Sequence, residues 1–146
     1  MSAQEKVFFT IGYEGLDPDS FMARLRRHGV EQLIDIRERA SSRKKGFSKT
    51  PLSKRLAEEG MGYIHIRGAG APPEIRNPRK ETGDLRTFLD SYSKHLDDNP
   101  DAVEAVHEAA MVKPSVLMCF EADYRQCHRS MLSTRLASLG MRAEHI

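Results

Sequence analysis

Cysteine is scarce in this sequence, which contains only Cys119 and Cys127. Two cysteines cannot make a disulfide framework, and because they lie within nine residues of each other they indicate local chemistry and fit a reducing compartment. The chain also lacks an apolar run of about 20 residues and the basic-then-apolar layout of a secretory signal, so we expect a cytoplasmic protein with no membrane partner. The net charge of +2 is too small to establish a polyanionic partner by itself.

The composition is that of a folded domain with a heavily charged surface. Hydrophobic residues make up 39% and charged residues 30% of the 146 positions. A chain of this length is about the size of one ordinary domain. We therefore expect a single domain over residues 1–146.

Short apolar runs alternate with segments of helical periodicity along the chain. Strands are predicted at residues 7–11, 32–36, 63–66, 116–120 and 142–146. Helices are predicted near residue 21 and at 52–59, 85–96, 102–110 and 129–139. The glycines and prolines of residues 68–82 favour an irregular, mobile surface loop. This order predicts a three-layer α/β fold, with a mainly parallel sheet of about five strands and helices on both faces.

Polar and reactive residues follow several of the predicted strands, at residues 12–14, 35–37, 67–70 and 119–121. In parallel sheets, ligands usually bind outside the carboxyl ends of the strands. These segments are therefore expected to face one crevice. Asp35 and Arg37 stand out, because a carboxylate and a guanidinium at a strand end can orient a substrate or each other.

The second reactive segment is Cys127, His128 and Arg129, at the start of a predicted helix. Free backbone amides there favour a Cys127 thiolate, and Arg129 can bind an anion or pair with Glu121 or Asp123. His128 shares a helix face with residues 132 and 136 and should point toward the sheet. The alternative is that the cysteines pack as small hydrophobes, which is the expected role of Cys119 and an equal alternative for Cys127.

The two cysteines and His128 can also supply metal ligands, with Glu121 or His65 as a fourth. Their spacing is not a familiar zinc pattern, and neighbouring helical side chains project about 100° apart. We therefore expect neither a metal nor a cofactor.

Residues 37–55 form the main charge asymmetry of the chain, with eight cations against the single acid Glu38. Cations such as Arg43 can contact phosphates while Phe47 stacks on a base, as in proteins that bind single strands. The alternative is a solvated, flexible loop.

Taken in order, the motifs resemble those of a family of bacterial and archaeal proteins named domain of unknown function 488 (DUF488). The resemblance rests on TIGYEG at 10–15, DIR at 35–37 with Ser42, Arg43 and Phe47, GYIH at 62–65, CFE at 119–121, CHR at 127–129 and EHI at 144–146. It implies shared motifs but no assigned activity. Family members often carry Leu-Gly-Gly after the third strand, where this chain has Arg67-Gly68-Ala69-Gly70.

The leading hypothesis from the sequence is an enzyme, or a degenerate relative of one, that binds a phosphate-bearing ligand such as a nucleotide or nucleic acid. The assigned catalytic residues are Cys127 as nucleophile or redox centre, His128 as acid or base, and Asp35 or Glu121 as orienting carboxylate. The assigned ligand-binding residues are Arg37, Arg43, Arg129, Tyr13 and Glu14. Two alternatives remain: a non-catalytic nucleic-acid-binding module using residues 37–55, and a cysteine redox or metal switch.

Overall fold

The computed structural model describes residues 6–146, which form a five-stranded, all-parallel sheet flanked by helices. The strands lie in the order β3-β2-β4-β1-β5. They are β1 (Lys6–Gly12), β2 (Gln32–Asp35), β3 (Gly62–His65), β4 (Ser115–Cys119) and β5 (Met141–His145). The helices are α1 (Pro18–Arg27), α2 (Lys49–Glu58), α3 (Pro73–Thr82), α4 (Leu85–Asp98), α5 (Pro100–Val112) and α6 (Arg129–Ala137). The predicted fold class is confirmed.

The position of each strand follows from its pattern of apolar residues. β4 is buried at all five positions, as expected for a continuous apolar run at the centre of a parallel sheet. β3 is half-buried throughout and forms one edge. Phe120, expected to end the buried strand, instead lies one residue beyond it and is 45% exposed.

Two separate apolar cores lie on the two faces of the sheet and give the fold its three layers. On one face, Phe21 and Leu25 of α1 and Leu56 of α2 pack against β-strand residues such as Val116. On the other face, α4, α5 and α6 contribute a larger core that includes Tyr92. Within residues 6–146, none of the helices is long and apolar enough to cross a bilayer.

The segment expected to be an irregular loop, residues 68–82, is mostly helical, so that prediction was wrong. A 3-10 turn at Arg67–Ala69 leads into α3, in which Pro73 is the first helical residue, a position where its missing N–H is harmless. Pro78 lies inside the helix, where it removes one backbone hydrogen bond. The helix ends at Gly83, whose φ of 72° is the left-handed conformation that glycine adopts at helix ends. α3 buries none of its side chains and packs beside α4.

The last part of the basic segment is helical, since α2 begins at Lys49, and Phe47 does not face solvent. Phe47 is fully buried, stacks on Tyr13 with ring centroids 4.6 Å apart and meets the edge of Phe21 at 5.2 Å. Hydrogen bonds between Ser42 and Ser48 close the turn that contains Phe47. The expectation that Phe47 stacks on a nucleic-acid base was therefore wrong.

The strand order creates a crevice at the carboxyl edge of the sheet. β4 lies between β2 and β1, and the chain leaves β1 and β2 toward the face covered by α1 and α2. It leaves β4 toward the opposite face, which α6 covers. Chain segments that diverge to opposite faces from neighbouring strands leave an opening between them, where ligands bind in folds of this class.

Candidate active site at the carboxyl edge of the sheet

Asp35 and Arg37 form a buried, two-pronged ion pair at the end of β2. Arg37 donates from Nε to Asp35 Oδ1 at 2.9 Å and from Nη2 to Oδ2 at 2.7 Å. The Arg37 amide donates to Oδ1 at 3.1 Å, and the Tyr63 hydroxyl donates to Oδ2 at 2.6 Å. Asp35 is fully buried and Arg37 is 7% exposed. The carboxylate thus accepts four hydrogen bonds, and it holds Arg37 and Tyr63 in position.

The electrostatics of this pair keep Arg37 charged. Burial acts to lower the pKa of Arg37, but its hydrogen bonds and charge interaction with Asp35 outweigh burial and hold that pKa above its usual value. Burial, together with the Asp35 carboxylate, raises the pKa of the Tyr63 hydroxyl. The remaining guanidinium nitrogen of Arg37, Nη1, lies 3.4 Å from the Tyr13 hydroxyl. Arg37 is therefore a fixed cation that spans from β2 toward the end of β1.

Cys119 and Cys127 lie together behind the crevice, with their sulfur atoms in contact. Arg129 Nη1 donates to Cys119 Sγ at 3.2 Å, and the Arg129 amide donates to Cys127 Sγ at 3.4 Å. Both cysteines are buried. A guanidinium and a helix-start amide are groups that stabilise thiolates in the reduced form. The two cysteines thus share one electropositive environment instead of packing independently.

Arg129, assigned from the sequence to ligand binding, is nearly fully buried. Its guanidinium donates to the backbone oxygens of Glu121 at 2.9 Å and Ala122 at 3.1 Å, in the loop that follows β4. Burial lowers its pKa to about 10, although Glu121 and Asp123 act in the opposite direction. Arg129 therefore fixes this loop and the cysteine pair.

Gly12 makes room for this arrangement at the end of β1. A Cβ atom at Gly12 would overlap the backbone carbonyl of Glu121 and lie 2.7 Å from Arg129 Nη1. Glu14, two residues on, is exposed, and its carboxylate accepts a hydrogen bond from the Ala122 amide at 3.0 Å. Glu14 thus fastens the same loop from outside.

His128 points toward the sheet, as its helical spacing predicted. Its Nε2 lies 2.8 Å from the backbone oxygen of Ile36, and since a carbonyl only accepts, Nε2 carries the ring proton. Burial lowers the pKa of His128 to about 4, with the Ile36 carbonyl acting in the opposite direction. The neutral ring leaves Nδ1 3.5 Å from Cys127 Sγ. At neutral pH its exchangeable proton is therefore held by the backbone.

A pocket of about 480 Å³ opens in front of these residues. Its cationic lining side chains are Arg37, Arg39, Arg76, Arg79 and Lys80, and its carboxylates are Glu38 and Glu121. Apolar or aromatic walls come from Tyr13, Ala71, Phe88 and Phe120. Cys119, His128 and Ser41 also line the pocket. The volume is in the range of small-molecule sites, roughly 300–1,000 Å³.

Comparison with known protein families gave a match over most of the chain. The family model described as "Domain of unknown function DUF488" matches residues 17–136, well over half of the chain. The protein belongs to this family. Comparison with curated proteins and with solved structures gave no match.

In this DUF488 protein, the residues predicted from the sequence occupy three different places. Tyr13, Arg37, Glu121 and His128 line the pocket. Asp35, Cys127 and Arg129 are buried and hold the lining residues in position. Arg43 and Glu14 are exposed and are not among the residues that line this pocket.

The sequence reasoning missed several lining residues, among them Arg76, Arg79 and Lys80 on α3, and Phe88 on α4. Arg79 lies over the Phe88 ring at 4.7 Å. The three cations have the three- and four-residue spacing of one helix face, a signal that becomes readable only once residues 73–82 are taken as a helix.

A set of metal-ligating atoms also meets at this site. One ligand atom each from Cys119, Glu121 and Cys127 lies within 4.8 Å of the other two. His128 is directed to the Ile36 carbonyl and does not complete the set. Burial raises the pKa of the Glu121 carboxyl, while Arg79 and Arg129 oppose that shift. In the reduced form, these three side chains are the ones able to hold a soft metal ion.

Proposed function

We propose that this DUF488 protein binds a phosphate-bearing ligand, of the size of a nucleotide, in the 480 Å³ pocket. The observation that carries the proposal is the surplus of positive charge in a concave site: five cationic side chains against two carboxylates. Guanidinium groups bind phosphate through paired hydrogen bonds, and a low-dielectric concave wall strengthens each of them. The aromatic side chains beside the cations suit a base or another planar group.

Part of this positive charge is already paired with carboxylates. Glu38 is already shared between two arginines, Arg67 at 3.1 Å and Arg76 at 3.4 Å. The raised pKa of Glu121 favours its neutral form relative to an ordinary glutamate. Arg37 is neutralised in part by Asp35. Arg39, Arg79 and Lys80 are then the cations that we assign to the ligand.

For the chemistry at this site we assign the reactive sulfur to Cys119 rather than to Cys127. Both cysteines are buried, but Cys119 lines the pocket and accepts a hydrogen bond from the Arg129 guanidinium, whereas Cys127 is not among the lining residues. His128 acts in this proposal as a positioning residue, because its Nε2 proton is bound to the Ile36 carbonyl. Glu121 is the lining carboxyl available as a proton donor or acceptor.

The binding proposal is tested by isothermal titration calorimetry with adenosine monophosphate and with inorganic pyrophosphate at low salt. Loss of one charge-assisted hydrogen bond, about 1.5–3 kcal/mol, should make the Arg79→Gln variant bind roughly tenfold to a hundredfold more weakly. Arg43→Gln is the matched control, since it removes an exposed cation outside the pocket and should bind as the parent does. If neither probe binds, or if the two variants lose the same affinity, the proposal is contradicted.

A second candidate function, a redox switch, is favoured by the contact between the two cysteine sulfurs. In this reading a peroxide takes two electrons and both protons from the Cys119 and Cys127 thiols. One disulfide forms, together with two water molecules from hydrogen peroxide, or one alcohol and one water from an alkyl hydroperoxide. In a reducing compartment such a pair is typically catalytic or redox-sensing rather than structural. The pocket would respond because Cys119 is one of its walls.

Intact-mass analysis tests this second function. Peroxide treatment of the reduced protein should remove two hydrogen atoms per chain, and dithiothreitol should restore them. The Cys119→Ser and Cys127→Ser variants should each lose this response. A protein whose mass or whose nucleotide affinity is the same before and after oxidation is not a switch of this kind.

A further inference from the structure

A second pocket of about 690 Å³ opens directly beside the first. The two pockets share five lining residues: Glu38, Arg39, Ser41, Arg76 and Lys80. The second is extended by Lys49 at the start of α2, Arg67 after β3 and Asn77 on α3. The shared residues place the two pockets side by side along the carboxyl edge of the sheet, and we refer to the pair as the depression.

Positive charge continues along the whole of this depression. Lys49 and Arg67 are added to the five cations of the first pocket, while no further carboxylate is added to Glu38 and Glu121. Of the seven cations, Arg37, Arg67 and Arg76 are already ion-paired with Asp35 or Glu38. The other four are still more than one phosphate group requires; they are Arg39, Lys49, Arg79 and Lys80. Cations arranged along a groove follow a chain of phosphates, whose charges are separated by one nucleotide each.

We infer that the ligand is a short single-stranded segment of nucleic acid, which occupies the first pocket with one nucleotide and continues through the second. This inference rests on the proposed function, because the first pocket is the phosphate site proposed above. The aromatic wall is confined to the first pocket, where Phe120 is 45% exposed and meets the edge of Tyr13 at 5.3 Å. A base stacks on such a ring regardless of its identity.

The geometry favours nucleic acid over other polyanions and one strand over two. A membrane surface is flat, and its headgroups would meet exposed lysines rather than a depression walled by α3 and the β2 loop. A base enters the aromatic pocket only when it is unpaired, since the stacked bases of a duplex face one another. Ser41 and Asn77 add neutral hydrogen-bonding groups along the same path.

The surface assigned here differs from the basic segment that the sequence singled out. Lys45 and Arg43 are exposed, yet they are not among the residues that line either of these two pockets. Their charges therefore provide controls of equal sign and from the same segment. Lys49 and Arg67, by contrast, line only the second pocket.

The experiment compares the affinities of adenosine monophosphate and of oligoadenylates two, three, four and six nucleotides long, measured by calorimetry at several salt concentrations. Affinity should rise at each of the first added nucleotides and then level off when the depression is filled. The slope of log K against log salt should steepen by about 0.7 for each phosphate engaged. A self-complementary duplex of the same length should bind more weakly than the single strand.

The variants separate this inference from the proposed function. Lys49→Gln should weaken binding of the four-nucleotide strand about tenfold and leave adenosine monophosphate unaffected. Arg43→Gln and Lys45→Gln should change neither. If adenosine monophosphate binds but added nucleotides bring no gain, this inference fails and the proposed function stands. If neither adenosine monophosphate nor the oligoadenylates bind at low salt, the inference and the proposed function both fail. If Arg43→Gln weakens binding of the strand as much as Lys49→Gln does, the strand binds to the general basic surface and the inference is wrong.

Discussion

Replacing Asp35 by asparagine tests whether this residue holds the site in place. The substitution keeps the shape of the side chain but removes the charge that balances Arg37, which is 7% exposed and two-pronged on the carboxylate. Breaking a buried pair by removing one partner costs about 3–5 kcal/mol. The asparagine oxygen can still accept from two of the four present donors, so we expect a loss near the lower end, about 3 kcal/mol.

The assay is urea unfolding followed by circular dichroism, with Asp19→Asn as the matched control. Asp19 also pairs with an arginine, Arg55 at 2.8 Å, but its side chain is 87% exposed, so its loss should cost less than about 1 kcal/mol. In the double variant Asp35→Asn/Arg37→Met the losses should be less than additive, because the unpaired buried charge is gone. If Asp35→Asn loses no more stability than Asp19→Asn, the buried pair does not organise the site.

Two further perturbations address His128 and Gly70. Since the His128 pKa is about 4 in the folded protein against 6.5 ordinarily, the unfolded chain binds more protons between these values. The free energy of unfolding should be at its full value above about pH 6.5 and fall by about 3 kcal/mol as the pH drops toward 4. The His128→Asn variant should lose less stability over the part of this range above about pH 5. An unchanged pH dependence in the variant would be incompatible with a buried neutral imidazole. A Cβ at Gly70 would overlap the Glu38 amide and lie 2.6 Å from the Arg37 carbonyl carbon, so Gly70→Ala should cost at least about 1–3 kcal/mol and weaken adenosine monophosphate binding. At Gly62 the nearest atom to an added Cβ is 3.6 Å away, so Gly62→Ala should be tolerated in both assays, and equal effects of the two alanines would contradict the close approach at Gly70.

The sheet and its functional edge could be predicted from the sequence because both depend on local patterns. Alternating apolar runs and helices specify a parallel sheet, and a parallel sheet brings the ends of its strands to one edge. That reasoning correctly placed Asp35 and Arg37 beside each other. It also placed His128 toward the sheet, from its four-residue spacing to Leu132 and Leu136.

The α3 helix could not be predicted in the same way. It buries no side chain, so its sequence carries no apolar stripe, and three prolines in residues 72–78 argue for a loop by composition. The helix forms because Pro72 and Pro73 occupy the cap and first positions, where proline is tolerated. Missing this helix meant missing the three pocket cations that it carries.

The roles of Phe47, Arg129 and the two cysteines depend on tertiary contacts that no local pattern records. Phe47 stands among lysines in the sequence but is covered by Tyr13 and Phe21 in the fold. Arg129 is drawn inward because two backbone carbonyls of the β4 loop lack other partners and accept its guanidinium. Such pairings form between segments that only the completed sheet brings together.

The binding of a phosphate-bearing ligand in the first pocket is tested most directly by following the arginine side-chain Nε–Hε resonances during a titration with adenosine monophosphate. The resonances of Arg37 and Arg79, which line the pocket, should shift in proportion to occupancy. Those of Arg43 and Arg142, which are exposed elsewhere, should stay in place. Shifts confined to Arg43 and Arg142, or no shifts in any of the four, would contradict the assignment of this pocket as the ligand site.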